Sequence, residues 1–145
     1  MATGRDLDRR VAARVLGRRP GAPCDGEIGW DYGYACLRCE ATWSPDADRA
    51  ALTPHPWEPP PYSTDAGAAW EVVDHLQAAG WGLVLALAEP GLPLEVAVVA
   101  GPTIRGVGPV LAVFHRGARH AQAGAATAPL AICRAALEAA ASGAG

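Results

Sequence analysis

Residues 18–62 hold eight of the chain's 13 prolines, three of its five tryptophans and three of its four cysteines, with no run of helical or strand period among them. Such a stretch cannot order itself by burial alone, because prolines and turn residues interrupt every element that could present an apolar face. Its cysteines offer another means. Cys24, Cys36 and Cys39 form Cys-x11-Cys-x2-Cys, and His55 follows after 15 more residues. The Cys36-Leu-Arg-Cys39 spacing lets two thiolates grip one ion from a tight turn, and a tetrahedral zinc site needs two further donors, which Cys24 and His55 supply. Asp25, Asp46 or a water are the alternatives to His55. A structural zinc ion would add folding free energy where little core exists, and Trp30, Trp43 and Trp57 are expected to pack around the knuckle.

Two other uses of a Cys-x2-Cys pair fit less well. Thioredoxin-like redox motifs open a helix after a strand, whereas Cys39 leads into Glu40-Ala-Thr-Trp43 and a proline. Zinc deaminases need a His-x-Glu on a helix and a proline before the pair, but Ala35 precedes Cys36 and His75-Leu-Gln77 lacks the glutamate.

The flanks read as one domain over residues 1–145, interrupted by this insert. Leu7, Val11 and Val15 recur every four residues beside Ala12 and Leu16, with Asp6 and Asp8 in the first turn and Gly17 beyond the end, so a helix is predicted over 6–16. Ser63 or Thr64 can cap a second helix whose stripe is Ala69, Trp70, Val73 and Leu76, ending at Gly80. Strand-like runs follow at 82–88, 94–100 and 110–115, and their short Pro/Gly connections favour an antiparallel meander. These runs are apolar at nearly every position, which predicts cover on both sheet faces. Thr127 can cap a last helix that buries Leu130, Cys133, Leu137 and Ala140, with Arg134 and Glu138 on its exposed face. The predicted architecture is an α+β, three-layer α/β/α sandwich of order α-insert-α-β-β-β-α around a mainly antiparallel three-stranded sheet.

Three of these segments carry a resemblance. Leu7-Asp-Arg-Arg-Val-Ala-Ala-Arg-Val-Leu-Gly17, Tyr62-Ser-Thr-Asp-Ala-Gly-Ala-Ala-Trp-Glu-Val-Val-Asp-His-Leu76 and Thr127-Ala-Pro-Leu-Ala-Ile-Cys-Arg-Ala-Ala-Leu137 are together similar to the phage ABA sandwich domain family. The resemblance covers both ends and the middle of the chain. It implies a small phage- or prophage-encoded protein with an α/β/α sandwich, and it brings no agreed catalytic residues.

Charge is uneven. Residues 1–19 carry +4 and the remainder −7, and all 12 basic residues are arginine. A basic arm of Arg9, Arg10 and Arg14 could touch nucleic acid, but the acidic remainder disfavours this and a solvated helix face explains it. The segment 114–120 leaving the last strand run concentrates His115, Arg116, Arg119 and His120, which with Arg105 could hold a phosphate or carboxylate; a solvated turn is the simpler reading. Cys133 lies on an apolar stripe without a local base and is expected to be core, and His75 on the second helix is expected to be partly buried and hydrogen-bonded. Glycines 101, 106 and 108 lack the Gly-Lys-Ser/Thr and following helix of a phosphate-binding loop, and no triad or His-Glu-x-x-His helix is present.

An enzyme is therefore disfavoured. The expected function is a non-enzymatic phage or prophage accessory protein that binds a protein partner. The alternatives are sequestration of an anionic small molecule, such as a host nucleotide signal, and nucleic-acid binding through the zinc knuckle. The charged N-terminus lacks a secretion signal and no apolar run is long enough to span a membrane, so a cytoplasmic place in a bacterial host is expected.

Overall fold

The computed structural model describes residues 4–30, 32–39, 41–98 and 103–142. It divides into two compact units, Arg19–Pro59 and the residues flanking that segment. In chain order the elements are α1 (Gly4–Arg14), β1 (Pro23–Cys24), β2 (Ile28–Trp30), β3 (Tyr34–Cys36), β4 (Thr42–Trp43), a 3-10 turn (Arg49–Ala51), β5 (His55–Pro56), α2 (Ala66–Ala78), β6 (Gly82–Leu87), β7 (Pro93–Ala97), β8 (Thr103–Val107), β9 (Val110–Arg116), β10 (Arg119–Ala125) and α3 (Ala128–Ser142). No helix among the described residues is long and apolar enough to cross a membrane.

The larger unit is an α+β sandwich, as the sequence predicts, built on a three-stranded antiparallel sheet. Membership of that sheet differs from the prediction. Its order is β10-β9-β6, and the run at 94–100 leaves it: β7 pairs with β8 in a separate two-stranded sheet, while residues 99 and 100 lie outside the described ones. The third place is taken by β10, which belongs to a segment read as a loop. Arg119-His-Ala-Gln-Ala-Gly-Ala125 is small and polar and carries no strand propensity of its own. Its signal is the two-residue Gly117-Ala118 link, in which Gly117 adopts φ +60°, as tight hairpins require. Likewise the expected Pro/Gly connection at 101–109 contains β8, though residues 101 and 102 lie outside the described ones.

Both faces of the sheet are covered. On one face Leu111 and Val113 of β9 join Val96 of β7 and Ile104 of β8 in a buried cluster, flanked by Val84, Ala86, Leu94 and Val98. This second cover is a hairpin where the sequence predicts a helix, and the reason is that a strand pair with one apolar face closes a sheet as well as a helix does. Strand alternation turns Ala112 and Phe114 to the other face, and α3 packs across β9 and β10. There α3 buries Ala131, Ala135 and Ala139 at a spacing of four, small enough for close approach, along with Ile132, Cys133 and Ala136. Leu130, Leu137 and Ala140 are only half-buried, so the stripe is rotated from the predicted one.

Helices α1 and α2 pack against α3. Helix α2 buries Ala69, Val72, Val73 and Leu76 and leaves Trp70 half exposed. Its cap is Asp65 rather than Ser63 or Thr64, with Oδ1 accepting from the Gly67 and Ala68 amides at 2.8 and 3.2 Å. The helix closes at Gly80, φ +96°, where the Trp81 amide donates to the Leu76 carbonyl at 3.0 Å.

Asp8 departs from the expected role of a first-turn acid. It is buried, and its Oδ1 accepts from the buried Ser63 amide at 2.8 Å, tying α1 to the segment that enters α2. Asp8→Ala leaves that N–H without an acceptor and is expected to cost about 2 kcal/mol, read as a lower urea midpoint at unchanged slope, with Asp8→Asn retaining part of the stability.

Candidate metal centre

Short strands in the smaller unit exist to hold side chains rather than to build a core. β1 pairs with β5 so that Cys24 stands directly opposite His55. β2 pairs with β3, and β3 with β4, which sets Cys36 at the end of a narrow hairpin sheet opposite Ile28. The chain then turns sharply, and the Cys36 amide donates to the Ala41 carbonyl at 2.8 Å, closing the loop that carries Cys39. The insert is thus not strandless, as its sequence suggests; its strands are two or three residues long, too short to show a period.

These connections bring the four predicted ligands to one point. The ligand atoms of Cys24, Cys36, Cys39 and His55 all lie within 4.8 Å of one another, with Cys39 half-buried and the others buried. Cys24 Sγ and Cys36 Sγ are 3.8 Å apart, and Cys39 Sγ is 3.2 Å from His55 Nε2. Three sulfurs and one imidazole nitrogen at this spacing can hold a metal ion. Asp25 takes no part: its carboxylate accepts from Arg38 at 2.9 Å on the exposed side.

The surroundings orient the donors. His55 Nδ1 lies 2.7 Å from the Leu52 carbonyl, so it carries the proton and Nε2 faces the thiols with its lone pair, the arrangement a metal-binding imidazole needs. The Trp43 ring meets His55 edge-on at 4.8 Å between centroids. Trp57 is buried, whereas Trp30 is largely exposed and stacks edge-on against Tyr34 at 4.9 Å, so the predicted cage of three tryptophans is not formed by Trp30. The amides of Arg38 and Cys39 both donate to Cys36 Sγ at 3.4 Å. Burial opposes ionisation of Cys36, but those two amides and the Cys39 and Cys24 side chains outweigh it and bring the thiol down to about 6. At Cys39 burial and the neighbouring thiols act together and push the value up to about 11, although the Ala41 amide opposes them. The cluster thus holds one thiol shifted towards the thiolate, and a cation bound there would favour ionisation of Cys39 beside it.

Gly26 is a position the sequence did not single out. A Cβ there would stand 2.5 Å from Cys36 Sγ and 2.7 Å from the Arg38 Cβ. Gly26→Ala is expected to displace Cys36 and weaken metal binding roughly 10- to 100-fold, measurable by competition with a chromophoric chelator.

The other predicted groups do not converge. Cross-strand register sets His115 opposite His120 and Arg116 opposite Arg119, and alternation puts the two pairs on opposite faces of the sheet. Arg105 lies on β8 in an ion pair with Glu95 at 3.3 Å. His75 is exposed rather than partly buried. Cys133 is fully buried, and burial, with a smaller contribution from Asp8, pushes its thiol up to about 12, as suits a core residue.

No family model matches the chain, and no curated protein matches it. Among solved structures, a phage protein from Bacillus cereus ATCC 14579 has a similar fold, with a TM-score of 0.51 and 17% identity over 95% of this chain and 92% of that one.

Proposed function

We propose that the chain is a phage or prophage accessory protein that works by binding a protein partner, and that residues 19–59 are a zinc-ordered module presenting the contact surface. The convergence of Cys24, Cys36, Cys39 and His55 carries this reading. Thiolate and imidazole donors in a Cys3His set are those of structural zinc, and with all four positions supplied by the chain none is left open for a substrate, which favours scaffold over catalyst. The same unit exposes Trp30 at 62%, Tyr32 at 94% and Leu37 at 68%, more large apolar surface than so small a unit needs. Aromatic residues of this kind are the ones enriched at protein interfaces. The phage setting is supported by the resemblance of the three helical segments to the ABA sandwich family and by the fold shared with the Bacillus cereus phage protein.

Elemental analysis of the purified protein is expected to return zinc in an equimolar amount. A pull-down from host lysate is expected to recover a partner that Trp30→Ala and Tyr32→Ala together release. A folded, metal-free protein that recovers no partner overturns the proposal.

A further inference from the structure

We infer that a cleft between α1, α3 and β10 is a binding site for a phosphorylated small molecule of nucleotide size. The cleft measures about 420 Å³, within the range of small-molecule sites, and is lined by Arg10 and Arg14 of α1, Gln122 of β10, and Arg134, Leu137 and Glu138 of α3. Three guanidiniums face a single carboxylate. Arg10 and Arg14 are four residues apart, so they stand on one face of α1 and repel each other. Among the described residues none of the three arginines is within ion-pairing distance of a carboxylate, and the Arg134–Glu138 pair that the i, i+4 spacing suggests is not formed.

Arg134 is the most informative of the three. Its Nε is buried without a hydrogen-bond partner, and its Nη1 reaches only the Gly124 carbonyl at 3.5 Å. The residue as a whole is half-buried and its Nη1 contact is exposed, so the cost falls on Nε, a buried donor left unpaired until an acceptor arrives. An anion in the cleft relieves that deficit and the repulsion between Arg10 and Arg14 at once. Phosphate fits because its oxygens accept paired N–H donors from guanidinium forks. Leu137 adds an apolar wall against which an organic body can lie, and the volume exceeds what phosphate alone fills. Arg10 and Arg14, which on sequence could also touch nucleic acid, here share an open cleft with Arg134 and Leu137, and its apolar wall favours a small organic ligand over a polymer backbone.

The site lies wholly within the larger unit and does not rest on the zinc module. The test is a thermal-shift and calorimetric titration of the full chain with AMP, GMP, CMP and UMP, with inorganic phosphate and the free nucleosides in parallel. At least one monophosphate is expected to raise the melting temperature and bind, its nucleoside to do neither, and the affinity to fall as ionic strength rises. Arg10→Gln and Arg14→Gln are each expected to weaken binding about tenfold, and Arg134→Gln by more. Should Arg134→Gln fail to fold, the double variant of the exposed Arg10 and Arg14 decides alone. The Trp30→Ala, Tyr32→Ala variant keeps full nucleotide affinity, which separates this result from the partner-binding test. Absence of binding by all four monophosphates, binding that persists in the Arg10, Arg14 double variant, or equal affinity for inorganic phosphate overturns the inference.

Discussion

Stripping metal from the purified protein, or replacing Cys36 with Ser, is expected to unfold residues 19–59 while the three helices persist. The buried residues among those described in that segment are few: Cys24, Gly26, Ile28, Cys36, Leu52, His55, Trp57 and Pro59, and three of these eight are candidate ligands. A structural zinc site is worth roughly 10–16 kcal/mol of apparent binding free energy, more than such a group of side chains supplies by burial. The expected readout is proteolytic cleavage confined to 19–59 after chelator treatment, with helical circular dichroism retained, because α1, α2 and α3 all lie in the other unit. Restoring zinc restores protection in the wild type and not in Cys36→Ser. If the chelated segment stays protected, the metal is not what orders it.

That segment was the most legible part of the chain for chemistry and the least for structure. The candidate ligands follow from donor type and spacing, which the sequence displays directly. The strands that aim those ligands are two or three residues long, so no periodicity betrays them. The opposite holds in the larger unit. Leu7, Val11, Ala69, Val73 and Leu76 are buried where a period of 3.6 places them. Pairing of the strands was harder to read: 94–100 and 110–115 look alike as apolar runs, and whether a run joins the central sheet or covers it depends on long-range contacts among Val96, Ile104 and Leu111. The cleft was hidden for another reason. Arg134 lies 120 residues along the chain from Arg14, and on either helix the arginines have the spacing of an ordinary solvated face.

Phe114→Ala is expected to act on the other unit and to spare the metal. Phe114 sits in the middle strand of the sheet, fully buried, with Leu83 and Ala121 as its cross-strand neighbours on either side. Its middle-strand position leaves little room to relax, so truncation removes both the transfer free energy of the ring and the packing around it, about 3–5 kcal/mol. Against a total of roughly 5–15 kcal/mol for a domain, that loss brings the sandwich close to its unfolding threshold at ordinary temperature. Leu87→Ala is the control: Leu87 is 71% exposed at the end of β6, and its loss is expected to stay within about 0.5 kcal/mol. Zinc content separates two outcomes. If Phe114→Ala melts early yet retains its metal, the segment 19–59 folds on its ligands alone. Loss of zinc together with the sandwich would mean that the ligand strands borrow their order from the larger core, and the independence assigned to the module would have to be withdrawn.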